Sequence, residues 1–111
     1  MLNQAVLVGR LTKDLEVKEM ENGKKISSIT LAVSRCFKNE NGEYDTDFVD
    51  VVLWNSIAES TAQYCKKGDI VGIKGRIQTR DVEFEDGSQR KVIEIIAEKI
   101  TFLSNKKSDE E

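Results

Sequence analysis

The chain contains no histidine, no proline, only two cysteines and no long apolar run. Each absence excludes a class of function. Without histidine, the commonest general base and the commonest metal ligand are both missing. Cys36 and Cys65 lie far apart and form no C-x-x-C pair, so they read as free thiols in a reducing compartment. The longest purely apolar stretches, such as Ala5 to Val8, are far too short to cross a bilayer. Met1-Leu2-Asn3-Gln4 carries neither a basic segment nor an apolar one with a cleavage site. No secretory signal is therefore expected, and the expected location is the cytoplasm. The 20 Asp and Glu residues show no spacing that selects a catalytic pair, so most read as solvated surface. No catalysis, no metal and no cofactor are expected.

What is present fits one small domain. A chain of 111 residues, 33% charged and 39% hydrophobic, can bury a modest core and remain soluble. The net charge of −3 looks unfavourable for a polyanionic ligand. Three of the acids, Asp109, Glu110 and Glu111, follow the last apolar residue, and the placement of charge matters more than its sum. The expected organisation is a folded domain over 1–104 and a short polar, acidic-ended tail over 105–111.

Turns are carried by Gly, Asn and Asp. Asn22-Gly23, Asn41-Gly42 and Asp86-Gly87 fall between runs rich in Val, Ile, Thr and Phe, and such dipeptides are strong hairpin signals. The runs are Gln4–Leu11, Ile26–Phe37, Phe48–Trp54, Ile70–Arg80 and Lys91–Leu103, with a weaker extended piece at Leu15–Met20 continuing the first. One helix interrupts them. Ser56-Ile57-Ala58-Glu59 fits a capping box, and Ile57, Ala58, Thr61, Ala62 and Cys65 share a packing face. Lys66 and Lys67 suit the negative end of its dipole, and Gly68 supplies a left-handed stop. The order predicts an all-β chain, a five-stranded OB-fold barrel with one helix between strands 3 and 4.

Side chains alternate along a strand, so each run divides into two faces. In Phe48–Trp54, Val49, Val51 and Leu53 form an apolar face opposite Phe48, Asp50, Val52 and Trp54. Aromatics at both ends of a half-polar face suit base stacking, or equally a subunit contact or second small core. In the next run Val71, Ile73, Ile77 and Thr79 read as core. The opposite parity gives Lys74, Arg76, Gln78 and Arg80, then Val82 and Phe84 on the hairpin. Cations replace condensed counterions along phosphates, and aromatic faces stack on any base. An ordinary charged exterior explains the cations but accounts poorly for the aromatics. Gly72 and Gly75 suit close packing or bending.

In the second run, Ile29, Leu31 and Val33 face the core and Thr30, Ala32 and Ser34 face away. Strict alternation then puts Phe37 inward, so its exposure requires a bulge or a strand that leaves the barrel. In the first run Val6 and Val8 oppose Ala5, Leu7 and Leu11, so both faces are apolar. Cover by the chain's own helix is one reading, and a partner subunit is the favoured one.

Four segments together resemble the bacterial single-stranded DNA-binding protein (SSB) family. They are Asn3-Gln4-Ala5-Val6-Leu7-Val8-Gly9-Arg10-Leu11, Ile29-Thr30-Leu31-Ala32-Val33, Asp47-Phe48-Val49-Asp50-Val51-Val52-Leu53-Trp54, and the run from Lys67-Gly68-Asp69 to Gln78-Thr79-Arg80. They extend over nearly the whole chain in the family's order. The resemblance implies an OB fold, a homotetramer, and sequence-tolerant wrapping of single-stranded DNA. It places stacking aromatics at Phe37, Phe48 and Trp54, basic contacts at Arg35, Arg76 and Arg80, and a dimer edge at Val6 and Val8. Where the family has a further stacking aromatic, this chain has Val82, with Phe84 two residues on as a candidate replacement. The chain stops at Lys107-Ser108-Asp109-Glu110-Glu111 without the Pro-Phe acidic tip of the long family members. That puts recruitment of replication and repair proteins in doubt. It resembles instead the short Gram-positive paralogues, some linked to natural transformation.

The expected DNA-binding set is Phe37, Phe48, Trp54, Phe84, Arg35, Lys74, Arg76 and Arg80, with Val6 and Val8 at the oligomer interface. The expected function is binding and protection of single-stranded DNA during replication, recombination, repair or DNA uptake. Competing readings are an OB-fold adaptor for RNA or a replication complex, a carbohydrate-binding or scaffolding barrel, and a nuclease built on an acidic metal cluster.

Overall fold

Three turns of one design organise the chain. In Met20 to Lys24, Asn39 to Glu43 and Phe84 to Ser88, a glycine N–H donates to the carbonyl three residues back, at 2.9, 3.0 and 2.9 Å. A second bond returns from the first residue's N–H to the last residue's carbonyl at 2.7, 2.7 and 2.8 Å. This geometry needs positive φ at its fourth residue, which glycine supplies: Gly42 sits at φ +79° and Gly87 at +85°. Side chains add support. Asn39 Oδ1 accepts the N–H groups of Asn41 and Glu43, and Asp86 accepts both the N–H and the hydroxyl of Ser88. The Ser88 bonds hold the Asp86 carboxyl below its ordinary pKa.

The structure, a computed structural model, describes residues 1–104. The tail expected over 105–111 lies outside the described residues. The elements are β1 (Ala5–Leu11), β2 (Lys18–Glu19), β3 (Lys25–Lys38), β4 (Tyr44–Trp54), α1 (Asn55–Tyr64), β5 (Ile70–Glu83) and β6 (Gln89–Ser104). The sheet order is β1-β5-β6-β4-β3-β2, and a β1–β3 pairing at Arg10↔Ala32 and Leu11↔Leu31 closes the five long strands into a barrel. All long pairings are antiparallel; β4 meets β6 in parallel at Val51↔Ile95 and Val52↔Ile96. Among the five long strands, the helix falls between the third and fourth, as the sequence predicts for an OB fold. No described helix is long and apolar enough to cross a membrane.

The core draws alternate residues from every long strand: Leu11, Ile29, Leu31, Val51, Leu53, Val71, Ile73, Ile95 and Ala97. Each large aliphatic contributes about 1.5–3 kcal/mol by leaving water. Helix α1 packs against β3, β4 and β6, and buries Ala58 and Thr61 while Cys65 beyond its end joins the core. Burial raises the Cys65 thiol pKa, which keeps it protonated and inert. At Gly75 a Cβ would stand 2.1 Å from the Ile96 carbonyl oxygen, so only glycine lets β5 approach β6 there. The register shifts beside it, between Lys74 and Gly75.

Four local expectations need correction. Lys18–Glu19 does not continue β1 but pairs with β3 as a separate short strand. The capping box does not form. Trp54 occupies the cap position without a side-chain bond, and Asn55 follows at φ +52°, a conformation that asparagine tolerates well. The Asn55 side chain instead accepts the Lys25 N–H at 3.0 Å, tying the helix start to β3. The helix ends at Tyr64, before Lys66 and Lys67; Gly68, at φ +94°, belongs to the following turn. Finally, Ile77 and Thr79 are exposed: Ile77 stands opposite the core residue Ile95 at the rim of the barrel, and Thr79 lies on the part of the β5–β6 hairpin that extends past it, opposite the exposed Ile93.

Candidate nucleic-acid interface

The register fixes which residues share the barrel's outer face. Phe48, Asp50, Val52 and Trp54 on β4 stand across from Ala32, Thr30, Ser28 and Ile26 on β3. Val52 also stands beside Ile96, and Ile96 is opposite Arg76 on β5. Stepping by two along the β5–β6 hairpin gives Gln78 opposite Glu94, Arg80 opposite Val92 and Val82 opposite Arg90. Phe48, Trp54, Arg76 and Arg80 therefore belong to one surface. Small residues (Ala32, Thr30, Ser28) flank the β4 row, which leaves Phe48 67% exposed. Trp54 and Val52 are more covered: Trp54 is half-buried and Val52 is buried.

Beyond the barrel, the register slips between Ser34 and Lys38, and β3 continues outward with β4 as a hairpin. Both routes to exposure for Phe37 are present, and the residue is 82% exposed. Lys38 then pairs with Tyr44 and lies 5.9 Å from its ring centre. Phe84, at the end of the β5–β6 hairpin, is partly covered by Arg90, whose guanidinium sits 4.7 Å from the ring centre.

The cations differ in how they are held. Arg35 is engaged at every nitrogen: Nε and Nη2 donate to Asp47 at 2.9 to 3.2 Å, and Nη1 lies 3.7 Å from Asp45. This pairing raises the Arg35 pKa and lowers that of Asp47, chiefly through the shared hydrogen bonds. Arg76 donates from Nη1 to Gln78 at 2.8 Å, with Glu98 4.0 Å from its Nε. Among the described residues Arg80 makes one hydrogen bond, from Nε to Glu94 at 2.6 Å. Lys74 has no ion-pair partner among the described residues. It stands directly across from Val6 on β1 and Lys99 on β6, at the end of the cationic row farthest from Arg80.

Past Val51 and Val52 the two hairpins diverge, leaving an open groove of about 230 Å³ bordered by Lys13, Thr30, Asp50, Val52, Arg80 and Glu94. Sequence reasoning missed Lys13, Tyr44 and Arg90. Lys13 has no local signal, since the β1–β2 connection carries it there. Arg90 was accessible in principle: counting back from the Asp86-Gly87 turn pairs Val82 with Arg90 and puts Phe84 on the neighbouring diagonal.

On the far side, Val6 and Val8 are 70% and 53% exposed, and α1 packs on β3, β4 and β6 and leaves them uncovered. The β1 edge pairs with β3 at Arg10 and Leu11, and Ala5 to Val8 have no strand partner on that side among the described residues.

A closed five-stranded barrel with one helix, aromatic rings and cations on a shared outer face defines an OB-fold of the nucleic-acid-binding kind. Residues 2–103 match the model of the Single-strand binding protein family, and the chain belongs to that family. It is 47% identical over 106 residues to single-stranded DNA-binding protein B of Bacillus subtilis, covering 96% of this chain and 94% of that protein. It is 46% identical to a single-stranded DNA-binding protein of Bacillus cereus over 93% of this chain and 61% of the relative. Single-stranded DNA-binding protein 2 of Listeria monocytogenes is 44% identical over 100% of this chain and 69% of its own length.

Proposed function

We propose that this chain binds single-stranded DNA with little sequence preference and protects it during replication, recombination, repair or DNA uptake, without catalysis. The observation that carries this reading is the placing of Phe48, Trp54, Arg76 and Arg80 on one outer face of the barrel, with Phe37 and Phe84 on the hairpins that extend it. Rings accept any base, and guanidinium groups take phosphates, so affinity needs no base-specific contact. Arg35 and Lys74 complete the proposed set. Phe84 stands in for the aromatic missing at Val82, with one ring face taken by Arg90 and the other available to a base. A homotetramer is the proposed assembly, with Val6 and Val8 and the open β1 edge at the contact between subunits.

The nuclease reading requires clustered acidic ligands, and no group of three or more His, Cys, Asp or Glu able to hold a metal ion occurs among the described residues. The decisive measurement is titration of Trp54 fluorescence with oligo-dT of several lengths at two salt concentrations, with matched RNA alongside. Quenching that saturates and weakens with salt is expected. Trp54→Ala should lose roughly 1–3 kcal/mol of affinity. Unmoved fluorescence together with no measurable oligo-dT affinity refutes the proposal.

A further inference from the structure

Glu94 is an unusual residue for a surface that meets phosphates. Its side chain is 7% exposed, and it sits on β6 in the outward-facing row, one diagonal step from Arg80. A buried carboxylate requires a cation, and Arg80 supplies it through Nε alone, at 2.6 Å. Nη1 and Nη2 of Arg80 have no hydrogen-bond partner among the described residues, and the side chain, 58% exposed, borders the groove between the hairpins. Arg35 provides the contrast, since its acids engage all three nitrogens.

We propose that Glu94 is a positioning residue for single-strand binding: it fixes the Nε edge of Arg80 so that the two terminal nitrogens face a phosphate in the groove. This rests on the function proposed above. Arginine's planar fork suits the role, because one edge can be anchored while the other stays free for a phosphate; lysine has no second edge. By charge alone Glu94 opposes DNA binding, so geometry and charge predict opposite outcomes.

Two substitutions separate them. Glu94→Asp keeps the charge and is one methylene shorter, whereas Glu94→Gln keeps the acceptor oxygen in place and loses the charge. Each is titrated with oligo-dT across a salt series, with thermal unfolding followed in parallel. The geometric role predicts that Glu94→Asp lowers the salt slope by about 0.7, the share of one phosphate on a single strand, and that Glu94→Gln keeps the parent slope. A merely structural role shifts the unfolding midpoint and leaves the slope alone. Should Glu94→Asp fail to fold, Arg80→Lys provides the same reading: the ammonium satisfies Glu94, and the slope falls by about 0.7. A parent-like slope in Glu94→Asp or Arg80→Lys overturns the inference, as does a slope in Glu94→Gln that falls as far as in Glu94→Asp. Failure of the parent chain to bind oligo-dT refutes the function proposal instead, so the two failures are distinguishable.

Discussion

The β3–β4 and β5–β6 hairpins are built alike and equipped oppositely. Both leave the barrel as long antiparallel pairs, end in the same glycine turn, and carry an arginine and an aromatic. On the first, Phe37 is bare while Arg35 is tied at every nitrogen by Asp47 and Asp45. On the second, Phe84 lies under Arg90 while Arg80, among the described residues, keeps two nitrogens open beside a buried acid. On the function proposed above, the first hairpin would stack on bases and the second would hold phosphate. A cation on the surface is thus no measure of binding until its carboxylate partners are known.

The largest expected effect breaks the comparison at its root. Gly75→Ala puts a methyl group into the Ile96 carbonyl and should cost about 3 kcal/mol of stability, unseating the β5–β6 hairpin. Urea unfolding measures this, and an unchanged midpoint would show that the close approach relaxes easily. The next test compares the arginines. Arg80→Ala should lower the salt slope of oligo-dT binding by about 0.7, and Arg35→Ala by distinctly less. Equal slopes would erase the distinction between the hairpins.

The smallest effect sharpens it. Asp47→Asn releases Arg35 from its strongest partner, so the slope should steepen relative to the parent. Asp47 also sets a pH signature. Its folded pKa lies below the ordinary value of 3.8, so its contribution to stability is present at neutral pH and is lost only as pH falls through that lowered value. Acid titration of the unfolding midpoint should show a shallower loss in Asp47→Asn. Both side chains of the pair are about half exposed and screened by solvent, so the change should be slight.

The fold was legible because its signals are local. Asn-Gly and Asp-Gly dipeptides mark the turns, and two-residue periodicity marks Val51 and Leu53 as core. The signal failed where the barrel stops. Ile77 and Thr79 follow the inward parity of Val71 and Ile73, but Ile77 lies at the rim of the barrel opposite Ile95 and Thr79 beyond it, so neither is enclosed. The capping box failed because Asn55 takes a left-handed turn and the cap falls at Trp54, two residues before Ser56. Among the candidate site residues, strand parity marks Phe48 and Trp54 but puts Phe37 on the wrong face, because the register slips between Ser34 and Lys38. The acids that restrain Arg35 and Arg80 were not readable, because ion pairing depends on register across strands, and Glu94 is 14 residues from Arg80.

The parallel contact between β4 and β6 spans two register pairs, and the β1–β3 contact another two. The hairpins close over loops of a few residues, whereas these two junctions join segments separated by long stretches of chain. Loop-closure entropy therefore favours the hairpins as early folding units and leaves barrel closure to the end. On this argument Val51 and Val52 would latch the barrel late, with the ribbon carrying Phe37 formed before there is a barrel to hold it.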